Sequence, residues 1–150
     1  MAEMRRGRKS QEAYRELVGK ALLSDRFTLD EFPVLSQLPA VEQWAAAHPR
    51  DLCPRGKALQ LLLRQAVAEV IASVGEADDV AVRRLVEYLQ LRYQQGISVK
   101  GIADRWGCST VQVWRAAGQR ALDLVTARFL DLARATGQSM TPLKVVGKAG

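Results

Sequence analysis

The sequence has very few of the residues that build catalytic and metal sites. His48 is its only histidine, and Cys53 and Cys108 are its only cysteines. Two cysteines cannot form a framework of several disulfides, and neither has a second ligand at the short spacing of a zinc site. We therefore expect no metal site, no cofactor and no Ser-His-Asp chemistry. His48 precedes Pro49, so we predict that it caps the end of a helix.

Phosphate-binding loops and paired catalytic carboxylates are also missing. The sequence contains no P-loop and no other glycine-rich phosphate cradle. Its adjacent acidic pairs, Asp30 with Glu31 and Asp78 with Asp79, suit helix N-termini, where the helix dipole stabilises negative charge. An enzyme is therefore the function that we rank last, and we predict no catalytic residue.

Long apolar runs are absent as well. No stretch approaches the roughly 18 apolar residues that a membrane span needs. The N-terminus is basic but is not followed by an apolar segment with a small-residue cleavage site, so we expect no secretion signal. These features predict a cytoplasmic protein with reduced thiols and no membrane partner.

What the sequence does contain is helical periodicity over most of its 150 residues. Leucine, valine and alanine recur at three- and four-residue spacing, and no strand-like alternation occurs. The sequence therefore predicts an all-α fold, a helical bundle with a C-terminal helix-turn-helix. The segment Lys57 to Val74 is apolar around much of its circumference, which is typical of a central buried helix.

We predict four segments along the chain. Residues 1–9 form a basic flexible arm, and residues 10–75 form a helical half that supplies core, dimerisation or partner binding. Residues 76–135 carry the helix-turn-helix, and residues 136–150 form a flexible tail.

Positive charge is concentrated at both ends of the chain. The formal net charge is +6. Residues 21–91 carry seven basic and ten acidic side chains, whereas residues 92–134 carry seven basic and three acidic ones. Because phosphate binding needs several cations on one face, this segregation favours an anionic partner over an evenly solvated surface.

Residues 98–117 meet the local requirements of a helix-turn-helix. Ala103 is small enough for a close helix crossing, and Gly107 tolerates the left-handed backbone of a sharp turn. Ser109 can cap the second helix, and Val113 can anchor it in the core. The other positions that we predict to point inward are Ile102, Trp106, Cys108 and Ala116.

The string LRYQQGISVKGIADRWGCSTVQVWR (91–115) resembles region 4 of bacterial sigma factors and sigma-like regulators. The resemblance extends over about residues 80–130. Two positions depart from the family: Gly101 stands where the family usually has Glu, and Trp114 stands where a polar residue is common. Glycine weakens the first helix by about 1 kcal/mol relative to alanine.

The resemblance implies that a helix over residues 109–121 lies in the major groove of DNA. Arg115 is then the candidate for a bidentate guanine contact, and Gln112 could read adenine or reach phosphate. Thr110 and Val111 offer methyl groups to thymine. The cations predicted to contact phosphate are Lys100, Arg105 and Arg120. The full set of residues predicted to point outward from this helix is Ser109, Thr110, Val111, Gln112, Trp114, Arg115 and Gly118.

Other roles stay open for several of these residues. Arg115 could be a solvated helix residue, and packing against a neighbouring helix or a partner is favoured for Trp114 over contact with DNA. Cys108 is interpreted as a small core residue.

Two functions follow from the sequence. The first is a sequence-specific regulator of transcription that binds double-stranded DNA, forms a homodimer and could contact RNA polymerase. Its length is similar to that of small phage-type late regulators and too short for a whole sigma factor. The alternative is a protein-interaction or adaptor domain of a larger bacterial signalling or NTPase system, in which the helix-turn-helix does not bind DNA.

Overall fold

The computed structural model describes residues 13–74 and 79–134, and this part of the chain is helical without a strand. The all-α prediction is therefore confirmed. The predicted arm (1–9) and tail (136–150) lie outside the described residues. The helices are α1 (13–21), α2 (Arg26–Asp30), α3 (Pro39–Ala47), α4 (Pro54–Val74), α5 (Val80–Tyr88), α6 (Val99–Trp106), α7 (Thr110–Val113) and α8 (Gln119–Arg134), with a short 3₁₀ turn at Leu35–Gln37.

Helix α4 lies at the centre of the fold, as its all-round apolar pattern predicts. It packs against α2, α3 and α8. Leu59 and Leu62 are fully buried, and Leu63 and Val67 are 3% exposed. Since burying one leucine side chain contributes roughly 1.5–3 kcal/mol, this helix supplies a large part of the hydrophobic stabilisation. It begins at Pro54, three residues before the predicted start, because proline is well tolerated in the first turn of a helix.

The last helical segments form one continuous rod over residues 110–134. A π-helical turn at Trp114–Gly118 joins α7 to α8 without a break. The α8 part is amphipathic, and its Val125 and Phe129 are fully buried. Because α8 packs against α4, the exposed start of the rod is fixed to the core of the fold.

A second π-helical turn, Leu89–Gln94, extends α5. Leu89 is fully buried and Leu91 is 3% exposed, so this turn is also anchored in the core. The chain then reverses at Gly96, which has a φ of 74° that favours glycine, and enters α6. No helix among residues 13–74 and 79–134 is long and apolar enough to cross a membrane.

The lone histidine ends α3. The backbone N–H of His48 donates to the carbonyl of Ala45, and its ring nitrogen Nδ1 lies 2.8 Å from the carbonyl oxygen of Trp44. The imidazole also stacks on the Trp44 indole, with 3.8 Å between ring centroids. The prediction that this histidine caps a helix is confirmed.

Gly56 allows the backbones of α2 and α4 to approach each other closely. A methyl group on its α-carbon would overlap the backbone carbonyl oxygen of Arg26. The backbone N–H of Gly56 also donates to Asp30 Oδ1 at 3.0 Å. The first turn of α4 is therefore seated directly on the backbone of α2.

We expect Gly56→Ala to lower the free energy of unfolding by about 3 kcal/mol, because the new methyl group must push two backbones apart. Gly19→Ala in α1 is the matched control, since a methyl group there meets only the Leu122 side chain at 3.4 Å. This control should leave stability unchanged or raise it by up to about 1 kcal/mol. Chemical denaturation measures both, and equal midpoints for the two variants would contradict the close contact.

Candidate nucleic-acid interface

Local hydrogen bonds fix both ends of helix α6. Its first turn is capped by Ser98, whose hydroxyl accepts from the backbone N–H of Gly101 at 3.0 Å. Its last residue is followed by Gly107, which has a φ of 69° and a ψ of 38°. The N–H of Cys108 donates to the carbonyl of Ala103, and the N–H of Gly107 donates to that of Asp104. This pair of bonds is a Schellman motif, and it fixes the direction in which the chain leaves α6.

Helix α7 follows after the three residues 107–109 and begins with a capping box. The hydroxyl of Ser109 accepts from the N–H of Gln112 at 3.2 Å, and the side-chain carbonyl of Gln112 accepts from the N–H of Ser109 at 2.9 Å. A capping box satisfies two helix N–H groups that would otherwise have no partner. Local hydrogen bonds therefore fix the conformation of the turn 107–109 and of the start of α7.

Apolar side chains hold the two helices together on their inner sides. Ile102 and Val113 are fully buried, and Ala103 is 3% exposed. These three residues were predicted to point inward, and the prediction is confirmed. Trp106 and Cys108 are partly buried and pack against the same core.

The outer side of α7 is exposed to solvent. Val111 is 55% exposed, and Arg115 follows it four residues later on the same face of the helix. All the residues that the sequence predicts for DNA contact lie on the surface: Lys100, Arg105, Ser109, Thr110, Val111, Gln112, Trp114, Arg115 and Arg120. Ser109 to Gln112 and Arg115 come together within two turns of one helix, whereas Lys100 and Arg105 lie on α6 and Arg120 on the start of α8.

Two predicted orientations are wrong, and the π-helical turn explains both. Gly118, predicted to point outward, is buried, and Ala116, predicted to point inward, is exposed. A π-helical turn contains more residues than an α-helical one, so it moves the inward position after Val113 from residue 116 to Ala117, which is fully buried. The 3.6-residue period used for the prediction does not hold across this turn.

Trp114 packs along its own helix and beneath Arg15 of α1. Its ring lies over Gly118, where an added methyl group would stand 2.5 Å from ring atom Cε3. The same position is covered by the Tyr88 ring of α5. The guanidinium of Arg15 in α1 lies 5.8 Å from the Trp114 ring centroid and pairs with Asp123 Oδ1 at 3.1 Å. Because Trp114 is 37% exposed, most of its surface serves this packing.

The packing of Arg15 on Trp114 and of Tyr88 on Gly118 is not evident from the sequence. Arg15 lies in a different helix, far from Trp114 in the chain, and no pattern pairs the two. The signal that was available is the spacing of Trp114 and Gly118. Residues four positions apart lie on one helix face, and a glycine there leaves room for an indole ring.

A cluster of arginines beside α6 was also missed. The guanidinium of Arg84 lies 4.5 Å from the Trp106 ring centroid, within cation–π range. The indole N–H of Trp106 donates to Glu87 of α5. Arg83 and Arg105 line the same open cleft, which has a volume of about 460 Å³. The cluster joins α5 to α6 and adds positive charge next to the exposed cations of α6.

The space around Gly101 is limited by neighbouring side chains. A methyl group at this position would stand 2.9 Å from Cγ2 of Ile97 and 3.4 Å from the Ser98 hydroxyl oxygen. The Ile97 side chain therefore occupies the space that a larger residue would need.

Comparison of the chain with protein-family models, with curated proteins and with solved structures found no match. The residues and geometry of this chain therefore carry the functional proposal alone. They comprise two short helices joined by a left-handed turn, a buried anchor on each, and an exposed face with Val111, Gln112 and Arg115.

We expect Val113→Asp to destabilise the fold by about 3–5 kcal/mol, the cost of a buried charge without a partner. Val111→Asp, two residues earlier on the exposed face, should change stability by less than about 0.5 kcal/mol. Thermal unfolding followed by circular dichroism compares the two variants. If both melt together with the wild type, the inner and outer faces of α7 are assigned wrongly.

Proposed function

We propose that this protein is a sequence-specific regulator of transcription that binds double-stranded DNA. In this proposal α6 and α7 form a helix-turn-helix, and α7 with the turn that follows it lies in the major groove. The observation that supports it best is the capped, core-anchored start of the 110–134 rod, which presents Val111, Gln112 and Arg115 on one exposed face. The major groove of B-DNA is about 12 Å wide and admits one α-helix.

Arg115 is the proposed base-reading residue. It is exposed on the second turn of the helix, and no ion pair or hydrogen bond holds its side chain within the described part of the chain. A guanidinium can donate two parallel hydrogen bonds to the N7 and O6 atoms of guanine. An unpaired arginine at this position is available for such a contact without breaking an existing one.

The capping box limits the contacts that the Gln112 side chain can make with DNA. Its carbonyl oxygen is already bonded to the N–H of Ser109 in the capping box. Reading adenine with both ends of the amide would compete with this bond, whereas the free amide nitrogen can still donate. We therefore assign Gln112 a single donor contact to phosphate or to a base acceptor. Thr110 and Val111 present methyl groups that suit contact with thymine.

Lys100, Arg105 and Arg120 are the proposed phosphate contacts. All three are exposed, and they flank α7 in the chain on α6 and on α8. Phosphate contacts fix the register of the protein on the duplex but carry no sequence information. Trp114, by contrast, is proposed to position the reading helix through its packing on Gly118 and beneath Arg15.

The first test selects bound duplexes from a random pool and compares three variants on the selected site. Arg115→Ala should weaken binding by about 1–3 kcal/mol and relax the preference at one base step. Arg115→Lys keeps the charge but lacks the planar fork of a guanidinium, so it should weaken the base preference less than Arg115→Ala does. Arg50→Ala, an exposed arginine between α3 and α4, is the control and should bind as the wild type does.

Unchanged base preference in both Arg115 variants would remove this residue as the base reader. Mass measurement of the selected complex also counts the chains on each duplex. We expect two, because a symmetric dimer on two half-sites is the common arrangement for helix-turn-helix proteins.

The second test is the salt dependence of binding. A protein that neutralises six to ten phosphates loses about 10³–10⁵ in affinity between 50 and 200 mM salt. Lys100→Gln and Arg120→Gln should each reduce the slope of log K against log salt by about 0.9 without changing the preferred sequence. If the wild type fails to bind random duplex DNA even at low salt, the DNA proposal is wrong and a protein-binding role replaces it.

A further inference from the structure

We propose that the cavity between α1, α2, α4 and the 89–94 turn binds a small amphipathic anion, a carboxylate or sulfonate attached to an apolar body. The cavity has a volume of about 520 Å³. Sites for small molecules are typically about 300–1,000 Å³, mostly apolar, with a few polar groups that orient the ligand. This proposal does not depend on DNA binding, because the cavity lies apart from the exposed face of α7.

The inner wall of the cavity is apolar. Leu29 of α2 is 1% exposed, and Leu63 and Val67 of α4 are each 3% exposed, so this wall is continuous with the hydrophobic core. Leu22, just after α1, closes one side. The apolar character of this wall favours an aliphatic or aromatic ligand body over a sugar or a nucleotide base with many polar atoms.

The mouth of the cavity carries a positive charge and amide donors. Arg64 lines it from α4, and Gln60 stands one turn earlier on the same helix face. Gln94 lines it from the opposite side, at the end of the π-helical turn. A guanidinium with neighbouring amides suits a carboxylate or sulfonate, because the guanidinium can donate two parallel hydrogen bonds to its oxygens.

Among the described residues, Arg64 has no ion-pair partner, unlike two arginines nearby on α4 and α8. Arg55 on the same helix pairs with Glu42 at 3.2 Å, and Arg128 on the adjacent α8 bonds to Glu69 through its Nε at 2.7 Å. Within residues 13–74 and 79–134, no carboxylate forms an ion pair with Arg64. The lining therefore combines an arginine that has no ion-pair partner in the described part of the chain with apolar side chains, which favours an anionic ligand with an apolar body.

Tyr93 adds a neutral hydrogen-bonding group to the lining. Burial raises the pKa of its phenol above the usual range, so the hydroxyl stays protonated at physiological pH. Its ring meets the Tyr88 ring edge to face, with centroids 5.8 Å apart. A ligand in this cavity would thus touch α4 and the turn that leads into α6 at the same time.

The test is a fluorescence titration of the full chain with 8-anilinonaphthalene-1-sulfonate, followed by competition with decanoate. The wild type should bind the probe at a single saturable site, and decanoate should displace it. Arg64→Gln should weaken the binding of the probe and of decanoate by about tenfold each, since it removes one charge-assisted contact. Arg83→Gln, an exposed arginine outside the cavity, is the control and should bind both as the wild type does.

Two further measurements test the location of the site and the charge of its ligand. Ala68→Trp should abolish binding by filling the cavity, because Ala68 lines it while being exposed enough to accept a larger side chain. Decyltrimethylammonium has the same chain length as decanoate but the opposite charge, and it should not displace the probe. No probe binding to the folded wild type, equal displacement by the cation, or unchanged affinity in Arg64→Gln or Ala68→Trp would each overturn the proposal.

Discussion

The packing of α8 against α4 is the contact on which the rest of the structure depends. Helix α4 is apolar on most sides, so it must be covered, and α2, α3 and α8 cover it. Helix α8 continues without a break from the exposed α7, so Val125 and Phe129 fix the far end of the same rod that presents Arg115. The exposed face is thereby held by the core, and a surface held in one orientation is what selective recognition requires.

Local signals in the sequence predict the ends of the helices around the site well. Gly107 and Ser109 act as their residue types predict, because capping and left-handed turns depend on a few neighbouring atoms. The buried anchors Ile102 and Val113 also follow from spacing alone. These features involve contacts within about one helical turn or across one short connection.

Features that depend on contacts between residues far apart in the sequence could not be predicted from local signals. The π-helical turn at Trp114–Gly118 changes the period of the helix. As a result residue 116 is exposed and residue 118 is buried, the reverse of what a regular α-helix predicts. The Trp114 and Tyr88 rings pack around Gly118, which is the last residue of this turn. Likewise, the pairing of Arg15 with Asp123 joins the first and last described helices, and no local pattern encodes it.

The measurement that most directly tests the central proposal is the change in backbone amide NMR signals on adding a duplex that the protein selects. We expect the largest changes within residues 98–120, with the strongest at Thr110 to Arg115, while the buried face of α4 is little affected. Changes confined to α2 and α3, or none at a saturating concentration of duplex, would contradict the assignment of α7 as the surface that reads DNA.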